Sequence, residues 1–237
     1  MDPNELMNNA DAERQERIEA ALGYRFRDRA LLDEALTHRS FLNEARGGKD
    51  NQRLEFYGDA VLDFLLSGML LSRFPGSREG ELTRLRAALV DEESLGRLAV
   101  ALDLGQALRL GRGEEKSGGR TKRSLLADAY EALLAAIYLD GGLEPVTRVV
   151  AAHFGPLIDS GELYGRDHKT FLQELVQTRH GLLPSYRVKE TTGPDHDRRF
   201  TVEIYLGEKL MGEGTGRSKK EAEQAAARAA ASVLKES

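Results

Sequence analysis

Residues 51–66, NQRLEFYGDAVLDFLL, decide how the chain is read. Leu54, Phe56, Tyr57, Val61, Leu62, Phe64, Leu65 and Leu66 recur at helical spacing, so the stretch predicts an α-helix. Glu55, Asp59 and Asp63 nevertheless stand four residues apart within it. At about 100° per residue, Glu55 and Asp59 lie about 40° apart and share a stripe with Gln52 and Asp63. Apolar residues cover the other sides, which predicts a helix buried nearly all round. A carboxylate among apolar neighbours is costly unless something pairs with it, so the stripe needs a partner.

A second stretch, SLLADAYEALLAAIYLDGG (124–142), repeats the pattern. Asp128 and Glu131 stand three apart on one helical face, beside Ala127, Ala132 and Ala135. Small residues there let another helix approach closely. If the two helices cross at these faces, four carboxylates converge. Such a group does not stay fully ionised without a cation. Oxygen donors with no cysteine and no histidine cluster favour Mg²⁺, with Mn²⁺ able to substitute, over Zn²⁺. A carboxylate-held Mg²⁺ that keeps several waters suits phosphodiester hydrolysis. Spacing alone leaves a second reading open, in which these are ordinary amphipathic stripes paired with Arg53, Arg84, Arg86 and Arg123.

The 237 residues suffice for one or two domains with proper cores. The absence of cysteine excludes disulfides and thiolate metal sites and fits a reducing cytosol. The first twenty residues, MDPNELMNNADAERQERIEA, lack the basic-then-apolar layout of a signal peptide. The most apolar segment, 60–71, is interrupted by Asp63 and too short to span a bilayer. These features predict a cytoplasmic protein without a membrane partner. The net charge of −5 is unevenly spread: residues 1–166 hold 22 Lys and Arg against 28 Asp and Glu, and residues 167–237 hold 12 against 11. A short basic cluster on the near-neutral part can bind phosphate despite the overall sign.

Apolar residues keep a helical period up to residue 158, with glycine-rich breaks and no convincing alternating strand, which predicts an all-α domain over 1–158. DSGELYGRD (159–167) reads as a linker. From 168 to 237 the period changes. TFLQELVQTRHG is helical, SYRVKE and FTVEIYLG alternate, and KLMGEGTG supplies a third short strand. SKKEAEQAAARAAASVLKE is a helix opened by a capping box, Ser218 and Glu221, with an apolar stripe of Ala222, Ala225, Ala226, Ala229, Ala230, Val233 and Leu234. The expected order is α-β-β-β-α, an α+β domain.

The motif NQRLEFYGDAVLDFLL resembles the ribonuclease III signature, whose usual form is NERLEFLGDSVL. The resemblance extends through ALTHRS (35–40), REGELTRLRAALV (78–90) and KSGGRTKRSLLADAYEALLAAIYLDGG (116–142), and covers the chain from about residue 15 to its end. It implies a helical endonuclease domain that dimerises and cuts double-stranded RNA on both strands. It assigns metal ligation to Glu55, Asp128 and Glu131, and the catalytically essential acids to Asp59 and Glu131. Phe56 matches an aromatic residue that inserts into the partner subunit, although a plain core phenylalanine is an equal reading. Glu79 matches a further acid near the cutting site, or is simply an acid opening a helix. Three positions depart from the family. Gln52 replaces a glutamate and leaves any metal or proton role there in doubt. Tyr57 replaces leucine, and Ala60 replaces serine beside Asp59. His38 reads as a structural residue rather than a general base.

The C-terminal order resembles a double-stranded RNA-binding domain. Lys219 and Lys220 lie in the first turn of the last helix, where free N–H groups and the helix dipole favour phosphate. Thr170 and Gln173 share a polar helix face with Glu174 and Gln177, suited to 2′-OH groups of the shallow minor groove. The resemblance implies that His196, in GPDHDRRF, stands at the family's second minor-groove contact. The resemblance as a whole implies a homodimeric, Mg²⁺-dependent endonuclease of double-stranded RNA. It would leave 5′-phosphate and 3′-hydroxyl ends and process ribosomal RNA precursors and structured messages. A non-catalytic duplex-RNA-binding dimer is the alternative.

Overall fold

The computed structural model describes residues 3–44, 47–160, 168–194 and 198–235, with side chains described from Glu13 to Leu234 within those ranges. The chain divides into two compact units: residues 1–69 with 86–156, and residues 70–85 with 157–237. In chain order the first helices are α1 (Pro3–Leu22), α2 (Arg29–Ala35), α3 (Arg39–Leu42), α4 (Gln52–Arg73), α5 (Glu79–Val90), α6 (Glu92–Ala101), α7 (Leu104–Ala107) and α8 (Arg112–Lys116). A 3₁₀ turn, Gly119–Thr121, leads into α9 (Arg123–Gly141) and α10 (Leu143–Ser160). Thus α10 takes in the first two residues of the expected linker, and residues 161–167 lie outside the described residues.

The first unit is built around α9. Leu126, Ala127, Ala129, Tyr130 and every residue from Ala132 to Ile137 are buried. The run of alanines lets α2, α6 and α7 all pack against α9. Leu62 and Leu66 of α4 and Val146, Val150 and Phe154 of α10 complete the core. Side chains fix the helix starts. Asp28 Oδ1 accepts from Ala30 N (2.9 Å) and Asp91 Oδ1 from Ser94 N (2.6 Å), so each satisfies an N–H that the helix leaves unpaired. At the far end of α9, Asp140 accepts from the Tyr24 hydroxyl (2.6 Å) and from the backbone amides of Arg27 (2.9 Å) and Asp28 (2.8 Å), pinning the loop before α2.

The expectation that α4 is buried nearly all round is corrected: that description fits α9. In α4, Phe56 is 82% exposed and Phe64 65%, with Tyr57 also at the surface. The sides carrying Leu54, Val61, Leu62, Leu65, Leu66 and Leu70 are buried, leaving an apolar stripe at the surface.

The second unit carries α11 (His168–His180), β1 (Pro184–Thr192), β2 (Arg199–Leu206), β3 (Lys209–Gly216) and α12 (Lys219–Lys235). The strands form an antiparallel sheet in the order β1-β2-β3. Val202 and Ile204 are buried and Phe200 and Leu206 pack beside them, as the period-two alternation predicts. The glycines of β3 explain how α12 lies so near the sheet. A Cβ on Gly212 would stand 2.8 Å from the Ala230 nitrogen, and one on Gly214 would stand 2.6 Å from the Ala222 oxygen. The stripe of α12 differs from its sequence expectation: Ala227 and Ala231 are buried with Ala222, Ala226, Ala230 and Leu234, while Val233 is exposed. Close backbone packing on the glycines rotates the helix toward its alanines. No helix among the described residues is long and apolar enough to cross a membrane.

Candidate active site

The acids of α4 and α9 are brought together by a glycine. A Cβ on Gly58 would stand 2.5 Å from the Glu131 carbonyl carbon and closer still to its oxygen, so the two backbones touch at this point. Gly58 falls between Glu55 and Asp59, and the contact is at Glu131 itself. Ala127, Ala132 and Ala135, the small residues expected to permit the approach, are buried in the same helix. Gly58 was not singled out in the sequence. Its signal was there: a glycine inside a strongly apolar helix is unfavourable by about 1 kcal/mol relative to alanine and calls for a packing reason.

Electrostatics bear out the proximity. Burial, and then the neighbouring carboxylates of Asp59, Asp128, Glu55 and Asp63, push the Glu131 carboxyl up to about 8. Glu55 is raised by burial and by Asp128, Asp50 and Asp59. Asp128 is raised by burial, against a lowering influence from His38. No arginine relieves this repulsion among the described residues: Arg86 pairs with Asp63 (Nε to Oδ1 3.6 Å) and Arg123 with Glu93 (3.2 Å), and Arg84 Nε donates to the Gly80 carbonyl (3.2 Å). The arginine-paired reading therefore holds for Asp63 and not for the four acids. Their donor chemistry, four carboxylates with no thiolate, fits a hard divalent cation. As placed they are not closed around a centre: among the described residues no three His, Asp or Glu side chains stand in ligating geometry.

Other expected residues take varied places. Gln52 is exposed in the first turn of α4. Glu79 opens α5 and accepts from Thr83 Oγ1 (3.0 Å). His38 caps α3, its Nδ1 accepting from Ser40 N (3.3 Å), a structural role, and burial lowers its pKa. Phe56 is not a core residue, which removes one of its two readings. The Tyr57 ring meets Tyr138 edge-on, centroids 5.7 Å apart.

In the second unit Lys219 and Lys220 are exposed in the first turn of α12. Ser218 Oγ accepts from Glu221 N (3.1 Å), while Glu221 Oε2 accepts from Arg217 N (2.8 Å), one residue earlier than a reciprocal capping box requires. Gln173 is exposed and Thr170 half-buried, but Glu174 is only 6% exposed, so the polar face of α11 is narrower than the sequence suggests. His196 lies outside the described residues.

Comparison with known proteins agrees with this architecture. A family described as Ribonuclease-III-like matches residues 28–157, and the double-stranded RNA binding motif matches residues 168–234. A protein named Ribonuclease 3 from Geobacter sulfurreducens is 61% identical over 217 residues, covering 90% of this chain and 88% of its own. Its namesake from Geobacter metallireducens is 62% identical over 217 residues, covering 89% and 88%. The solved nuclease domain of the Campylobacter jejuni ribonuclease III, described for flexibility in a region involved in dimer formation, is 42% identical. It superposes with a TM-score of 0.55 over 59% of this chain and 98% of that one. A helical nuclease domain with crossed acidic helices, joined to an α-β-β-β-α domain, thus places this chain in the ribonuclease III family, whose members are endoribonucleases of double-stranded RNA.

Proposed function

We propose that the chain hydrolyses phosphodiester bonds of double-stranded RNA with Mg²⁺, leaving 5′-phosphate and 3′-hydroxyl ends. The observation that carries this reading is the acid cluster at the Gly58 crossing, where Glu131 is raised to about 8 and, among the described residues, no arginine or lysine pairs with Glu55, Asp59, Asp128 or Glu131. Glu55, Asp128 and Glu131 would hold the ion. When bound, Mg²⁺ or Mn²⁺ supplies an activated water and neutralises charge developing on the phosphate. Asp59, the strongest acidic influence on Glu131, stands exposed at the same crossing, where a carboxylate can orient a water and accept its proton. Gln52 and Glu79 are accessory positions, the former able to hydrogen-bond but not to carry charge.

The proposed division of labour is an endonuclease domain that ends with α10, a linker after Ser160 and an RNA-binding domain over 168–237. Lys219 and Lys220 meet phosphates, and Thr170, Gln173 and His196 meet the minor groove. The exposed stripe of Phe56, Tyr57 and Phe64 supports a homodimer, with Phe56 entering the partner. Two sites in a dimer can cut both strands of one duplex. A cytoplasmic role in maturing ribosomal RNA precursors and structured messages fits this activity.

The test is digestion of a perfect RNA duplex, and of either strand alone, with and without Mg²⁺, followed by end mapping. Mg²⁺-dependent cleavage of the duplex with 5′-phosphate ends is expected. Equal cutting of single strands, or binding with no cleavage in Mg²⁺, would overturn the proposal.

A further inference from the structure

Glu223 sits awkwardly for a helix that is to bind phosphate. At about 100° per residue it lies about 40° from Lys219 and about 60° from Lys220 around α12, between the two. Pairs three and four apart on a helix attract one another, so Glu223 is placed to neutralise either lysine. The structure shows a different partner. Lys169 Nζ, from the first turn of α11, lies 2.7 Å from Glu223 Oε2, and the Glu223 side chain is only 15% exposed. Lys169 is held twice more. Its backbone N–H donates to Gln224 Oε1 (3.0 Å), and its ammonium stands 4.5 Å from the Tyr186 ring centroid on β1. Among the described residues, neither Lys219 nor Lys220 has an acidic partner within ion-pair distance.

We propose that Lys169 is a positioning residue for duplex binding: it holds the Glu223 carboxylate away from Lys219 and Lys220 and leaves both ammonium groups available to phosphate. The pair also ties α11 to α12. That fixes the spacing between Thr170 and Gln173 on one helix and the lysines on the other, a spacing that recognition of A-form shape depends on. Without Lys169, a mostly buried carboxylate loses its partner and turns to the nearest ammonium.

The inference rests on the reading of Lys219 and Lys220 as phosphate contacts, and the test separates the two. Full-length protein carrying Glu131→Gln, to suppress cutting, is titrated with a perfect RNA duplex over a range of salt. Lys169→Gln is expected to weaken binding roughly three- to ten-fold and make the salt dependence shallower by about one phosphate contact. Adding Glu223→Gln should restore affinity to within about two-fold of the parent, since each phosphate contact contributes separately to the salt slope. Glu223→Gln alone, which needs no partner, should bind as tightly as the parent or more so. Unchanged binding by Lys169→Gln, failure of Glu223→Gln to rescue it, or weaker binding by Glu223→Gln alone each overturns the role. If Lys219→Gln with Lys220→Gln leaves affinity and salt slope unchanged, the phosphate reading itself falls, a different result from the other three.

Discussion

Gly58 and Glu131 touch backbone to backbone, with no room for a methyl group between the helices that carry them. Glu55 and Asp59 stand on either side of Gly58 in the sequence, and both act on the Glu131 carboxyl. Gly58→Ala must push α4 away from α9, and a forced methyl in a packed interface costs roughly 1–3 kcal/mol. We expect a lower midpoint in thermal unfolding and a loss of cleavage that exceeds the loss of duplex binding. Gly68→Ala, where nothing stands within 4 Å of an added Cβ, is the control and should unfold at the parent temperature or above.

Phe56 is 82% exposed, so truncating it removes almost nothing from the core of its own chain. Phe56→Ala should leave the unfolding free energy of the monomer within about 0.5 kcal/mol. It should instead weaken self-association: a phenylalanine buried in a partner contributes about 1.5–3 kcal/mol, and a symmetric interface contains it twice. Sedimentation velocity across a dilution series would reveal the dimer dissociating at higher concentration than the parent. A dimer of undiminished affinity would remove Phe56 from the interface.

Asp140 gives acid sensitivity a definite sign. Burial alone would raise its pKa, but the hydrogen bonds from Tyr24 and from the Arg27 and Asp28 amides outweigh that and lower it. A group whose folded pKa lies below its unfolded value of about 4 stabilises fully above that value, and the contribution disappears as pH falls through the folded pKa. Tyr24→Phe removes one of these bonds and should cost about 1 kcal/mol at pH 7. Urea midpoints of parent and variant should differ at pH 7 and converge in strong acid. A gap that widens on acidification would contradict the assignment.

Much of this was legible in the sequence because it rests on period and spacing. The change from a 3.6-residue period in α11 to a two-residue period from Pro184 onward marks the sheet of the second unit. The four acids announced themselves by standing on apolar helices. Other features are tertiary and leave no local trace. Phe56 is apolar whether it faces a core or a partner chain, and only the fold shows which side of α4 is covered. Val233 fits a helical stripe as well as Ala227 does, until the β3 glycines draw the helix onto its alanines. Glu174 continues the polar pattern of α11, yet it is buried. Gly58 was readable as a cost without a visible reason, and the reason is Glu131, seventy-three residues away.

The central claim is that the acids at the α4–α9 crossing cut RNA while the C-terminal domain holds it. The measurement that bears on it most directly compares cleavage and binding of one perfect RNA duplex by the parent, Asp59→Asn and Glu131→Gln. The account predicts that both variants bind duplex with the parent affinity and cleave at least about a hundred-fold more slowly in Mg²⁺, and that the parent is silent in excess EDTA. Parent-like cleavage by either variant, or by the parent in excess EDTA, would contradict it.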